Sequence, residues 1–266
     1  MEPVRKAVQK GRFYPAESND IVKMIDHWER ILAQAGKDEK KWIPEMIVAP
    51  HAGYIYSGFT ANTAFRHLPT KNPETVVIIG PSHYEYIPGV SAGPFRWYET
   101  PFGFMPGDLS LLSELNKHFE LVFHPPAHAR EHSTEVEFPF AAYYTPDAKI
   151  LELIYGDVST DYLKEIIKFL LALLGVAVVI STDLSHYYPQ EKANSLDAYC
   201  VEGTQLEDSR LIMQGCEACG KPGLVAAVDA AREKDLKAQV LDYRTSGDVT
   251  GDYSSVVGYM SAVFYE

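Results

Sequence analysis

"VVISTDLSHY", residues 178–187, decides the fold: a run of branched apolar residues passes without a break into Asp183 and His186. A short run of this kind bounded by polar turn residues reads as a strand buried on both faces, and such strands belong to sheets covered by helices. Two other stretches have the same form. "IVAPHAG" (47–53) ends at His51 and its small neighbours, and "VIIGPSHY" (77–84) delivers His83. In open α/β sheets ligands sit in the crevice outside the carboxyl ends of the strands. The three histidines therefore fall where a site belongs.

Working outward, strands alternate with amphipathic helices. After "GRFYPAES", Ser18 or Asn19 caps a helix to about Ala35, with Ile21, Met24, Ile25, Trp28, Ile31 and Leu32 at helical spacing. "EMIVAP" (45–50) and "TVVIIG" (75–80) are buried strands, and "HAGYIYSG" is a turn before a short helix, "FTANTAFRHL". "FRWYETPFGFMPGD" suggests a hairpin or edge strand. Asp108 caps a helix to about His118, and 130–145 forms one helix that Pro139 kinks. A strand "KILELIYG", a helix from Ser159 to Gly175, a mostly helical region 189–233 and two closing strands complete the chain. No linker or repeat interrupts it. The expected fold is α/β: one domain over residues 1–266, an α/β/α sandwich on a largely parallel or mixed central sheet.

Composition narrows the function. The 266 residues are 46% hydrophobic and 23% charged, as in a folded globular chain. A formal net charge of −12 disfavours nucleic acid and anionic membrane surfaces, which draw on clustered cations. "IIKFLLALLGVAVVI" is broken by Lys168 and Gly175 and divides into a helix and a strand, so no membrane span is expected. The N-terminus has no apolar run behind its positive charges and resembles no leader. A cytosolic location follows from these expectations.

His51, His83 and His186, with Asp183, converge if their strands are neighbours. Neutral imidazoles are common ligands of iron, copper and zinc, with a carboxylate or thiolate as companion. Taken singly, each histidine is better explained by a loop hydrogen bond; the repetition at equivalent strand ends favours a site. On a helical turn Asp183 and His186 would share a face, with Asp183 either a helix cap or a site residue. In "EHSTE", His132 is an acid/base or substrate-anchoring candidate, while Glu131 and Glu135 read as a solvated face or caps. Three cysteines are too few for a disulfide scaffold. Cys216-x-x-Cys219 has no second pair to complete a structural zinc site, and it lies too late for a thioredoxin motif. One cysteine turned toward the cleft is the economical reading, with Cys200 and Cys216 as small core residues.

"GRFYP", "APHAGYIYSG", "GPSHY", "EHSTE", "STDLSHY", "EACGKPG" and "YRTSGD" stand here in the order and character of the Memo family, also called AmmeMemoRadiSam system protein B, which the chain resembles from Val4 to Tyr265. The resemblance implies a fold related to the LigB-type class III extradiol dioxygenases, non-haem iron enzymes. It implies a metal set of His51, His83 and Cys219, holding iron or copper, flanked by Asp183, His186 and His132. Where such a dioxygenase uses two histidines and a glutamate, this set has a softer thiolate. Dioxygenase activity does not carry over from fold alone.

Two functions are expected from different classes. One is a non-haem metal oxidoreductase acting on a small aromatic substrate, with His186, His132 and Asp183 as catalytic groups. The other is a non-catalytic module holding a peptide or a metal ion; the resemblance implies radical-SAM and AMMECR1-type proteins as partners. A metal-dependent hydrolase using Asp183 or His186 as base ranks third, for want of a carboxylate-rich ligand set.

Overall fold

A computed structural model describes residues 3–37 and 42–266; Met1 and Glu2, the start of the stretch judged unlike a leader, lie outside the described residues. In chain order the elements are β1 (Val4–Arg5), α1 (Ser18–Gln34), β2 (Pro44–Ala49), α2 (Tyr54–Phe65), α3 (Leu68–Lys71), β3 (Thr75–Pro81), β4 (Val90–Ala92), β5 (Trp97–Thr100), β6 (Gly103–Pro106) and α4 (Leu109–His118). Then come β7 (Leu121–Val122), α5 (Pro125–Arg130), a 3-10 turn (Glu135–Glu137), α6 (Phe138–Tyr144), β8 (Lys149–Tyr155), α7 (Thr160–Leu171), β9 (Val176–Ser181) and β10 (His186–Tyr188). The chain closes with α8 (Gln190–Gln205), α9 (Ser209–Gly215), α10 (Lys221–Glu233), β11 (Lys237–Thr245), α11 (Gly247–Thr250) and β12 (Val256–Tyr265).

The main sheet runs β10-β12-β2-β9-β3-β8-β4-β7, with β11 also paired to β12. Its centre, β2-β9-β3-β8, is parallel, while β12 joins β2 and β4 joins β8 antiparallel. The sheet is therefore mixed, and its four central strands are the near-continuous apolar runs of the sequence. Side chains alternate across it. On β2, Met46 and Val48 pack with helices α7 and α10, whereas Ile47 and Ala49 face the cluster formed with α1, α2 and α6. This is an α/β sandwich with helices on both faces. The aromatic segment expected to form a hairpin does so: β5 pairs antiparallel with β6, and β1 joins β5 in a small separate sheet. Asp108 and Ser159 cap α4 and α7, accepting from the main-chain N–H of Leu111 and Tyr162.

Register is what builds the site. Ala49 pairs with Ser181 and Ile79 with Ile180, so β2, β9 and β3 end side by side. Two residues beyond each end stand His51, Asp183 and His83.

Three local expectations are corrected. Helix α2 starts at Tyr54, inside the stretch read as a turn, because Gly58 is no helix breaker here: it is where the Trp28 ring of α1 lies, and a Cβ would stand 2.4 Å from that ring. The expected helix over 130–145 is broken at 131–134, where the Glu131 carboxylate draws main-chain N–H groups onto itself, and Pro139 stands in the first turn of α6, where no N–H is needed. Asp183 and His186 share no helical turn; residues 182–185 are irregular and His186 opens the short strand β10 against β12.

Candidate metal centre

His51 follows β2 and is buried, with its ring fixed from behind. Its main-chain N–H donates to Asp183 Oδ1 at 2.8 Å, and its Nδ1 lies 2.8 Å from Ser181 Oγ. Asp183 thus ties the turn after β9 to the turn after β2. Burial pushes the Asp183 carboxyl up to about 7, opposed by the main-chain N–H groups of His51 and Ala52. Burial, then the neighbouring His83 and His132, holds the His51 imidazole well below its usual range, so the ring is neutral and keeps a lone pair.

His83 follows β3. Its main-chain N–H donates to Glu131 Oε2 at 2.7 Å and its ring Nδ1 lies 2.9 Å from Oε1. The same carboxylate accepts from the main-chain N–H of His132 and Ser133. Although burial alone would raise it, contact with His132 and His83 holds Glu131 far below the ordinary carboxylate range. An ionised Glu131 accepts the Nδ1 proton of His83 and leaves Nε2 open toward the cleft, as a carboxylate does behind a ligating histidine.

His132 stands in the 131–134 loop. Its ring centroid is 4.4 Å from that of His83 and 5.3 Å from that of His51, and Phe13 packs on its other side at 4.8 Å. Its Nδ1 comes within 3.2 Å of Glu131 Oε1 but out of hydrogen-bond alignment, which leaves a buried nitrogen without a partner. Gly80 allows the loop to approach β3: a Cβ there would stand 2.7 Å from Ser133 Oγ.

His51, His83 and His132 form a group in which one nitrogen from each lies within 4.8 Å of the others. Cys219, in the turn before α10, reaches this group through His51: its Sγ is 3.4 Å from Nε2 and accepts from the main-chain N–H of Asp183 at 3.3 Å. Two donors on one tetrahedral zinc-sized ion stand roughly 3.6 Å apart when one is sulfur. The His51–Cys219 spacing meets that already. With an unpartnered nitrogen on His132 and the Nδ1 atoms of His51 and His83 held by oxygen partners, the three-imidazole group fits a transition metal, and the Cys219 thiol stands at ligand spacing from His51. Burial, then Asp183, pushes the Cys219 thiol up to about 12.

His186 is half-buried on β10. Burial holds its imidazole below the usual range, and the nearby His83 and His132 add to this. Beside it Tyr187 takes φ 64°, a left-handed conformation costly for a residue with a Cβ, and exposes most of its ring. Tyr84, Tyr86 and Tyr187 are exposed next to the candidate histidines, whereas Tyr54 is core, its hydroxyl donating to the Val136 carbonyl.

The structure thus gathers His51, His83 and His132, with Cys219 in contact with His51 alone of the three, Asp183 bonded behind them and His186 nearby, so His132 stands in the group where the resemblance implied Cys219. It corrects the reading of Glu131 and Glu135, neither of which is solvated or a helix cap: both are fully buried. Glu135 pairs with Arg5 and accepts from Gln9 N–H and the Tyr14 hydroxyl. Sequence reasoning missed Glu131, Ser181 and Glu137; the one available signal was that polar residues flank strand and loop ends already suspected of carrying the site. Cys200 and Cys216 are core residues as expected, but they are joined in a disulfide, since the α8–α9 hairpin brings their Cα atoms to 5.0 Å. Cys219 is a free thiol. No helix among the described residues is long and apolar enough to cross a membrane.

The Memo family, described as "Memo-like protein", matches residues 5–263. A MEMO1 family protein of Aquifex aeolicus is 32% identical over 271 residues, covering 98% of this chain and 99% of its own. One from Ignicoccus hospitalis is 35% identical over 287 residues, covering 98% of each. Among solved structures, an uncharacterized protein, JW3007, from Escherichia coli K12 superposes with a TM-score of 0.56 at 15% identity, over 82% of this chain and 98% of that one. That likeness speaks to the fold alone. The chain belongs to the Memo family.

Proposed function

We propose that this Memo-family chain is a non-haem metal oxidoreductase whose ion, iron or copper, is held by His51, His83 and Cys219, with His132 as the further imidazole of the cluster. The observation that carries the reading is the convergence of imidazoles from two parallel strand ends and the 131–134 loop, with the Cys219 thiol of the turn before α10 against His51, two of the imidazoles held with Nδ1 against an oxygen partner. When bound, iron or copper supplies Lewis acidity and one-electron chemistry to a small substrate. The chain's own residues do the rest. Glu131 and Asp183 fix the two strand-end turns, Phe13 closes one side over His132, and His186, half-buried at the rim, is placed to hold or pass a proton. A cleft of the LigB type would take an aromatic substrate, in keeping with the exposed Tyr84 beside His132 and Tyr187 beside His186.

Untagged protein loaded anaerobically with iron or copper should hold one ion per chain and consume oxygen with catechols. Stoichiometric loading without turnover over a broad panel of catechols would favour the second reading, a binding module that uses the same cleft for a peptide or for the metal itself. The exposed tyrosine rim supports that reading. Under it, Cys219→Ser weakens metal binding and keeps peptide binding. Partnership with radical-SAM and AMMECR1-type proteins rests on the family likeness, and co-purification tests it.

A further inference from the structure

Behind His51, the hydroxyl that holds its Nδ1 has polar contacts of its own, and they fix who donates to whom. Ser181 Oγ, fully buried at the end of β9, has three polar neighbours: the Ser133 carbonyl at 2.5 Å, His51 Nδ1 at 2.8 Å and Glu137 Oε1 at 3.1 Å. Glu137 is itself fully buried, and its Oε2 has no partner.

A hydroxyl carries one proton and two lone pairs. The Ser133 carbonyl can only accept, so it takes the Ser181 proton. Both remaining neighbours must then donate. His51 donates from Nδ1, which leaves Nε2 bare toward Cys219 and the cleft. Glu137 has a proton to donate only as the neutral acid; an ionised carboxylate would set an oxygen lone pair against another with nothing between them. One protonation pattern therefore satisfies every contact of Ser181.

From this count we infer that Ser181 and Glu137 are positioning residues for the proposed metal centre: Ser181 takes the Nδ1 proton of His51, and Glu137, kept as a neutral acid, fills the second lone pair of Ser181. The environment agrees. Burial drives the Glu137 carboxyl well above its ordinary range, the contact with Ser181 opposes this and Asp183 adds to it, while the other titratable group facing it, Tyr54, is neutral. The inference rests on the metal reading for its purpose, not for its test.

The first test is nitrogen-15 NMR of histidine-labelled, metal-free protein, which reads the tautomer directly. Wild type and Glu137→Gln should both show His51 protonated at Nδ1, since the amide still donates to Ser181. Ser181→Ala should show a mixture. His51 protonated at Nε2 in the wild type overturns the assignment. The second test compares thermal midpoints of wild type and Glu137→Gln across pH. An unfolded Glu137 releases its proton near 4.5 while the folded one keeps it, so wild type should lose ground to Glu137→Gln steadily as pH rises above that value. A difference that stays flat or runs the other way means that Glu137 is ionised in the fold, and ends the proposal. Both readouts use metal-free protein, so they fail separately from metal binding. Where the ion does bind, Ser181→Ala should weaken Zn(II) on the order of 10- to 100-fold, and Glu137→Gln should leave it within about twofold.

Discussion

Glu131 grips His83 twice, through the main-chain N–H at 2.7 Å and through Nδ1 at 2.9 Å, although the two residues are 48 positions apart. The carboxylate also holds the N–H groups of His132 and Ser133, so one side chain sets the ring of one candidate ligand and the backbone of another.

Replacing Glu131 with alanine should therefore act on metal and fold together. Metal affinity should fall on the order of 10- to 100-fold, as when other carboxylates behind ligating histidines are removed. Each buried N–H left unpaired should cost about 1–3 kcal/mol. Calorimetric Zn(II) titration and thermal melting check the two effects; an unchanged Zn(II) affinity would mean that Glu131 does not orient the site.

Metal binding should release a proton from Cys219. The thiol is pushed up to about 12, so it is protonated in the metal-free protein at neutral pH, whereas His51 is already neutral and gives up nothing. A thiolate ligand must lose that proton, so apparent affinity should rise about tenfold per pH unit through the neutral range. In Cys219→Ser this slope should flatten. A steep slope surviving the substitution would move the titrating ligand elsewhere.

Arg5 should matter more than its place near the terminus suggests. Its buried guanidinium pairs with Glu135 and Glu152 and donates to the Glu131 carbonyl at 2.9 Å. Removing one partner of a buried pair leaves the other charge uncompensated, at a cost of about 3–5 kcal/mol. For a chain of this size, Arg5→Ala should lower the melting temperature by on the order of 10 °C. A loss of a degree or two would show that water reaches the network.

The Cys200–Cys216 disulfide should also be measurable. Under denaturing, non-reducing conditions a thiol assay should find one free cysteine, Cys219, and reductant should expose all three. Closing a loop of this length contributes about 3 kcal/mol, so reduction should lower the melting temperature by several degrees. Three free thiols before reduction would refute the pairing.

Much of the fold was legible because its central strands are buried on both faces, which leaves uninterrupted apolar runs, and because each run stops at a polar residue two positions past the strand end. His51, His83 and Asp183 could be found in that way. Glu131 and Ser181 could not, since what distinguishes them is a pairing across 48 and 130 residues. The same holds for the disulfide, whose cysteines lie on successive helices and meet only when α8 and α9 pack together. His186 was placed on the wrong local structure because "TDLSH" has helix-cap spacing, while pairing with β12 keeps it extended.

The central claim is that distant segments of this chain grip one ion. Metal titration of wild type against His51→Ala, His83→Ala and Cys219→Ser, each shown to be folded by its melting curve, tests it most directly. The account predicts one tightly held ion per wild-type chain, no stoichiometric binding in either histidine variant, and a weakened, sulfur-free site in the serine variant by X-ray absorption. Full stoichiometry with unchanged affinity in the folded His51→Ala and His83→Ala proteins would contradict it.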